Sequence, residues 1–256
     1  MNYLFQRVLI VVLMLAGAVL GQSDNDRQAI ILNEQGVVQF QKGEHESALR
    51  SLNQAIQLSS QNPVFYSNLG YVHRELNDLA QAEAAYRRSI ALRPDNAIAH
   101  NQLGIVLLEQ HRSKDALDEF LVAIQLTPND AVMLLNVGNA LIGLKDHKRA
   151  IGYLESAKAS APNNASIKSS LGYAYAMQKK LDRAIAEIRD AIKIDPKNET
   201  VQYFLGSLYL ANHDKDAALA QQKALYATNP ELGRRLFLAI NSDKILVVQP
   251  ETMGFK

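Results

Sequence analysis

The side chains of this sequence that could do chemistry are few and scattered. Its six histidines are His45, His73, His100, His111, His147 and His213. None pairs with another at the i, i+4 spacing that aims two imidazoles at one metal from a single helix face. His45, His111, His147 and His213 fall in or near polar breaks between apolar stretches and read as solvated turn residues. The chain has no cysteine, so disulfides, thiolate catalysis and thiolate-bound zinc are excluded. There is no Gly-x-Ser-x-Gly, and the glycines do not cluster as a phosphate loop requires. Asp115, Asp118 and Glu119 stand close together but read as a solvated helix face with charge partners nearby. No catalytic residue, metal site or cofactor is expected. The informative polar groups are side-chain amides, among them Asn68, Gln102 and Asn136, which recur at 34-residue intervals.

That interval governs most of the chain. Gly36, Gly70, Gly104, Gly138, Gly172 and Gly206 are each 34 residues apart. Framed from Ala29, they occupy the eighth place of six tandem units: 29–62, 63–96, 97–130, 131–164, 165–198 and 199–232. The twentieth place reads Ala48, Ala82, Ala116, Ala150, Ala184 and Ala218. The thirty-second reads Ser60, then Pro94, Pro128, Pro162, Pro196 and Pro230. A fixed period of this length is the signature of stacked helical units, none of which buries its own apolar face alone.

Inside a unit the apolar residues recur at helical spacing. Val64, Phe65, Leu69, Val72 and Leu76 form one stripe, and Leu79, Ala82, Tyr86, Ile90 and Leu92 a second. Asn77-Asp78 separates them, and proline at the thirty-second place stops the second helix. Two antiparallel helices of ~13 residues approach closely only where side chains are small. Glycine at the eighth place and alanine at the twentieth supply that room. Leu52 or Tyr86 type residues at the twenty-fourth place, with alanine near the twenty-seventh, are expected to pack one unit on the next. The first copy is the least regular, and Gln222 departs from the apolar twenty-fourth place, which suggests looser cover at the end of the array. Residues 233–240 are expected to form a capping helix, and 241–256 a tail containing Ile245-Leu246-Val247-Val248.

The first 21 residues differ from all that follows. Arg7 is their only charge, Val8 to Leu20 is an unbroken apolar run, and small residues precede polar Ser23-Asp24-Asn25-Asp26. This is the layout of a signal peptide. The alternative is an uncleaved membrane anchor, although the run of 13 is short against the ~20 residues a bilayer core needs. Residues 22–28 are expected to be a polar lead-in. With 27 basic and 26 acidic residues the chain lacks the basic excess of a general nucleic-acid or anionic-membrane binder. Asn164-Ala165-Ser166 and Asn198-Glu199-Thr200 match glycosylation sequons, and both asparagines are placed as helix caps.

On the Leu-Gly pairs (Leu69-Gly70, Leu103-Gly104, Leu171-Gly172, Leu205-Gly206), the alanines and the prolines, residues 29–232 resemble the tetratricopeptide repeat family. Tyr66 and His100 stand where the family has tryptophan. The resemblance implies an all-α, right-handed α-solenoid of antiparallel helix pairs. It also implies a concave groove lined by the first helix of each repeat, at the second, fifth, sixth, ninth and twelfth places. Groove residues carried over in this way include Asn33, Val37, Asn68, Tyr71, Asn101, Gln102, Ile105, Asn136, Asn139, Tyr173 and Tyr203. The run Asn68, Gln102, Asn136 resembles the asparagine ladder of O-linked N-acetylglucosamine transferases, interrupted after it by Ser170 and Phe204. Amides donate and accept together and so can hold a peptide backbone, or else they bond to neighbouring helices or water. The basic clamp with which some members hold a terminal carboxylate is missing: Ser67 and Tyr71 stand in its places.

The expectation is therefore an exported, non-enzymatic scaffold of the bacterial envelope. It would bind a protein partner, as a peptide or helix, in the groove. Alternatives are a membrane-anchored assembly factor and a glycan-binding protein or enzyme with its site in the groove.

Overall fold

A computed structural model describes residues 23–242. The signal-peptide segment 1–21 and the tail beyond Ser242 lie outside the described residues. The described chain is all-α, thirteen helices with no strand among them. It divides into two compact units after Val106. The first holds α1 (Asp24–Gln41), α2 (His45–Leu58), α3 (Pro63–Glu75), α4 (Leu79–Leu92) and the start of α5 (Ala97–Glu109). The second holds the end of α5, α6 (Ser113–Leu126), α7 (Ala131–Gly143), α8 (His147–Ser160) and α9 (Ala165–Met177). It continues with α10 (Leu181–Ile194), α11 (Glu199–Ala211), α12 (Lys215–Thr228) and α13 (Pro230–Ser242).

The 34-residue period survives as helix geometry. First helices start at Pro63, Ala97, Ala131, Ala165 and Glu199, and each has 13 residues. Most are opened by a side chain that accepts from the first turn's free N–H groups. Asn62 accepts from Val64 N, Asp130 from Val132 N and Met133 N, Asn164 from Ile167 N, and Asn198 from Val201 N. Both sequon asparagines are thus caps. Between the helices of each pair the chain turns through one residue with positive φ: Gly43, Asn77, His111, Lys145, Lys179 or His213. Two backbone bonds close each turn. In the second repeat, Asn77 N donates to Arg74 O and Asp78 N to His73 O, both at 2.8 Å. This is the double closure that ends a helix at a left-handed residue.

Packing corrects the reading of the twenty-fourth place. That side chain packs against the glycine of its own repeat. A Cβ on Gly36 would lie 2.8 Å from Leu52 Cγ, on Gly70 3.0 Å from the Tyr86 ring, on Gly138 2.6 Å from Leu154 and on Gly172 2.7 Å from Ile188. The alanines of the twentieth place are completely buried. In repeat six the room beside Gly206 is filled by Leu236 of α13. Gln222 turns aside and donates from Nε2 to Gly233 O at 3.2 Å. The cover there is not loose: it comes from another helix.

Both ends differ from expectation in extent. Helix α1 begins at Asp24, with Ser23 accepting from Asp26 N, so most of the expected lead-in is helical. The final helix spans Pro230–Ser242, longer than 233–240, because Asn229 Oδ1 accepts from Leu232 N and starts it early. Proline, which follows helix ends in the middle repeats, here stands at the first helical position, where its missing N–H costs nothing.

Two glycines separate the packing argument from helix propensity. Gly152 in α8 is exposed, and a Cβ on it meets nothing within 4 Å. Gly152→Ala should stabilise the fold by about 0.5–1 kcal/mol. Gly138→Ala gains the same propensity but drives a methyl into the fully buried Leu154. It should destabilise by about 1–3 kcal/mol. Urea-unfolding midpoints of the two variants are expected to move in opposite directions.

Candidate binding groove

The candidate residues lie on the first helices; two of them, Asn33 and Asn68, bond to each other, while Tyr71, Asn139 and Tyr173 touch residues outside the set. In the first unit, Asn33 of α1 and Asn68 of α3 meet: Asn68 Nδ2 donates to Asn33 Oδ1 at 2.9 Å. Asn33 is only 3% exposed and Asn68 is half-buried. Phe40 of α1 presents a ring edge to Tyr71 at 5.7 Å and touches His45 at 5.3 Å. Val37 is half-buried nearby along α1. On α5, Asn101 is buried, while Gln102 and Ile105 are half-buried. The Gln102 Oε1 atom is buried without a hydrogen-bond donor among the described residues.

In the second unit the ninth place of one repeat meets the sixth place of the next. Ser170 Oγ donates to Asn139 Oδ1 at 2.9 Å, and Tyr173 packs on Phe204 with ring centres 5.9 Å apart. Ser170 and Phe204 therefore continue the row with different chemistry where the amides stop. Tyr173 is buried, as is Tyr203, whose ring lies under the Arg235 guanidinium at 5.4 Å. Asn136 and Asn139 are half-buried. About half of the polar candidates thus hold adjacent first helices together. Burial raises the pKa of Tyr71 and of Tyr203 above the ordinary value of 10.0, with Glu75 adding to the effect at Tyr71. Both phenols stay protonated and keep a proton to donate at neutral pH.

Five participants lie outside the candidate residues: Phe40, Ser170, His147, Arg235 and Phe204. His147 is not a solvated turn residue. Its ring sits edge-on to Tyr173 at 6.1 Å, and its Nδ1 is buried without a partner. Burial holds its pKa below the ordinary 6.5, outweighing the opposing pull of Asp146. A weak signal was present for Ser170 and Phe204, since a hydroxyl or an aromatic in a place held by amides is a change of contact type. Asp115 pairs with Arg112 at 2.7 Å, as a charged surface face should. No group of three His, Asp or Glu that could hold a metal occurs among the described residues. No described helix is long and apolar enough to cross a membrane.

The sequence that forms these helices matches a family profile. The tetratricopeptide repeat profile covers residues 67–131 and 135–199, and a further TPR repeat profile covers 36–75. The chain belongs to the tetratricopeptide repeat (TPR) family. No curated protein matches it. Several solved TPR-like structures share its fold. PilF of Pseudomonas aeruginosa is 21% identical, with 87% of this chain and 100% of that one covered and a TM-score of 0.73. PilW, described as a widely conserved type IV pilus biogenesis factor, is 17% identical over 82% and 98%, with a TM-score of 0.75. YrrB, described as a TPR protein with an unusual peptide-binding site, is 22% identical over 72% and 96%, with a TM-score of 0.61.

Two measurements test the site. Asn68→Ala leaves the buried Asn33 carbonyl without its donor and should cost about 1–3 kcal/mol, whereas Asn33→Leu with Asn68→Leu should cost less than that single change. A double-mutant cycle on unfolding midpoints reads the coupling. For His147 the sign follows from its lowered pKa. The folded chain binds this proton less readily than the unfolded chain, so stability from neutral His147 is present above about pH 6.5 and is lost as pH falls below it. Between pH 7.5 and pH 5.5 the native chain should therefore lose more stability than His147→Leu.

Proposed function

We propose that this TPR protein is an exported, non-enzymatic scaffold that binds an uncharged, apolar or aromatic stretch of a protein partner along its first helices. One observation carries the reading. In the fourth, fifth and sixth repeats none of the second, fifth, sixth, ninth or twelfth places holds Asp, Glu, Lys, Arg or His. Surfaces that dock charged termini need fixed countercharges, whereas an uncharged row of amide, hydroxyl and aromatic groups favours backbone and apolar contacts. Half-buried Asn139 and Leu210 leave part of the row open to such contacts. In the first unit the corresponding places carry only Glu34 and Arg74 as charges. The peptide-binding site named for YrrB supports a peptide ligand as the general mode.

Export rests on the composition of residues 1–21 and is supported by the likeness to PilW, a pilus biogenesis factor. The bacterial envelope is the setting this combination favours. Fractionation of the host followed by N-terminal sequencing separates the cases. A mature start near Ser23 outside the cytoplasm is expected. An intact Met1 in the membrane would make the protein an anchored assembly factor, and an intact Met1 in the cytoplasm would end the export reading.

Asn139→Asp keeps the oxygen that accepts from Ser170 and adds one negative charge to the uncharged row. It should leave the melting temperature nearly unchanged and weaken the partner co-purifying with the native chain at least tenfold. Native binding should change little as salt rises from about 0.05 to 0.5 M, since little of it is ionic. Steep salt dependence together with an indifferent Asn139→Asp would overturn the groove assignment.

A further inference from the structure

The last helix pair of the second unit carries an apolar surface where the end of a repeat array ordinarily turns a polar face to water. Tyr226 of α12 and Phe237 and Leu238 of α13 are 52%, 48% and 56% exposed. The Tyr226 position has a local cause. A Cβ on Gly233 would lie 2.5 Å from the Tyr226 Cα and 2.8 Å from its N. The two helices therefore cross backbone to backbone, and the ring stands outward. Gln222, Lys223, Tyr226, Arg234 and Phe237 line an open groove of about 380 Å³ there. Two of its lining residues are aromatic and two are cations, of which Arg234 is paired with Glu231 at 2.8 Å.

The sequence that follows Ser242 has the complementary character. It reads Asp243-Lys244-Ile245-Leu246-Val247-Val248-Gln249-Pro250-Glu251: four consecutive apolar residues directly after Lys244, with carboxylates two residues before the run at Asp243 and three after it at Glu251, a net charge of −1 over the nine. The reach is adequate. Phe237 and Arg234 lie five and eight residues before Ser242, about 8 and 12 Å along a helix rising 1.5 Å per residue. The six residues from Ser242 to Val248 span up to ~20 Å when extended. A short covalent link raises the local concentration of the segment to the millimolar range, so weak apolar contact suffices.

We propose that residues 245–248 dock in the groove between α12 and α13 and cover the apolar end of the second unit, with Asp243 and Glu251 facing Lys223 and Arg234. The chain is its own ligand at this place.

The absence of cysteine makes a direct test possible. Lys223→Cys in the full chain places a single thiol on the groove rim. Its modification by a maleimide should speed up at least tenfold when Ile245→Asp and Val247→Asp are added. A change of less than threefold would overturn the proposal. Hydrogen exchange provides a second reading without the thiol. Amides of residues 245–248 should be protected in the native chain and lose that protection in Phe237→Asp. Equal exchange in both overturns the proposal. Both measurements are repeated from about 1 to 100 µM with light scattering alongside. Protection that appears only as a dimer forms assigns the groove to a second copy and also overturns it. Protection that is independent of concentration supports it.

Discussion

The structure depends on a missing methyl group. At the eighth place of the first, second, fourth and fifth repeats the first helix offers bare backbone, and a large side chain from the twenty-fourth place rests on it. Leu52, Tyr86, Leu154 and Ile188 are all fully buried in that position, and a Cβ on the facing glycine would stand within about 3 Å of each. Burying such a side chain is worth about 1.5–3 kcal/mol, while glycine within a helix costs about 1 kcal/mol relative to alanine. The balance favours the glycine only because the partner is large and enclosed. Repeat six shows that the constraint is on space and not on the contributing helix. Gln222 is too polar to fill the site, so Leu236 arrives from α13, and the terminal helix is held by the same kind of contact that holds each pair.

Fixing the distance between paired helices also fixes which residues of successive first helices can touch. The fifth or ninth place of one repeat reaches the sixth place of the next, as in Asn33 with Asn68, Asn139 with Ser170, and Tyr173 with Phe204. These contacts take up part of the hydrogen-bonding capacity that a ligand could use. They also orient what remains, because an amide pinned through one atom presents the other in a set direction. Buried donors and acceptors tied in this way act as a rigid lining. An uncharged lining gains little from long-range attraction, so its selectivity must come from contact shape and from backbone hydrogen bonds.

The sequence revealed the parts of this plan that rest on local chemistry. Glycine, alanine and proline at fixed places report close approach and helix termination, and Asn164 and Asn198 report helix starts; each meaning is carried by the residue itself. What stayed hidden depends on encounters between helices. The left-handed turn residue is Gly43 in the first repeat but Asn, His or Lys in the others, since two backbone hydrogen bonds hold the conformation whatever the side chain. His147 looked like a turn residue because it opens α8, whereas the structure half-buries it against Tyr173 of α9 and holds its pKa below the ordinary value. Leu236 falls in the expected capping helix 233–240, but its contact with Gly206 was not legible, since that glycine lies 30 residues earlier, outside the 34-residue frame that relates the other members of the set.

The same logic explains why irregularity gathers at the terminal helices. A central repeat has neighbours on both sides, so every place is constrained by two encounters. Among the described residues a terminal helix lacks one of them, and its sequence is less tightly constrained by stacking. Helix α1 is longer than the other first helices and exposes Ile31 and Val38 along one side. Helix α13 begins at the proline that elsewhere ends helices, exchanges a partner with Gln222 and turns Phe237 and Leu238 outward. Neither departure weakens the glycine contacts, which remain satisfied at Gly36 and at Gly206. Departure from the period without loss of the packing rule is what distinguishes a surface released from the stacking requirement from one that has decayed. On that criterion the exposed apolar residues of α13 are a surface with an occupant to accommodate.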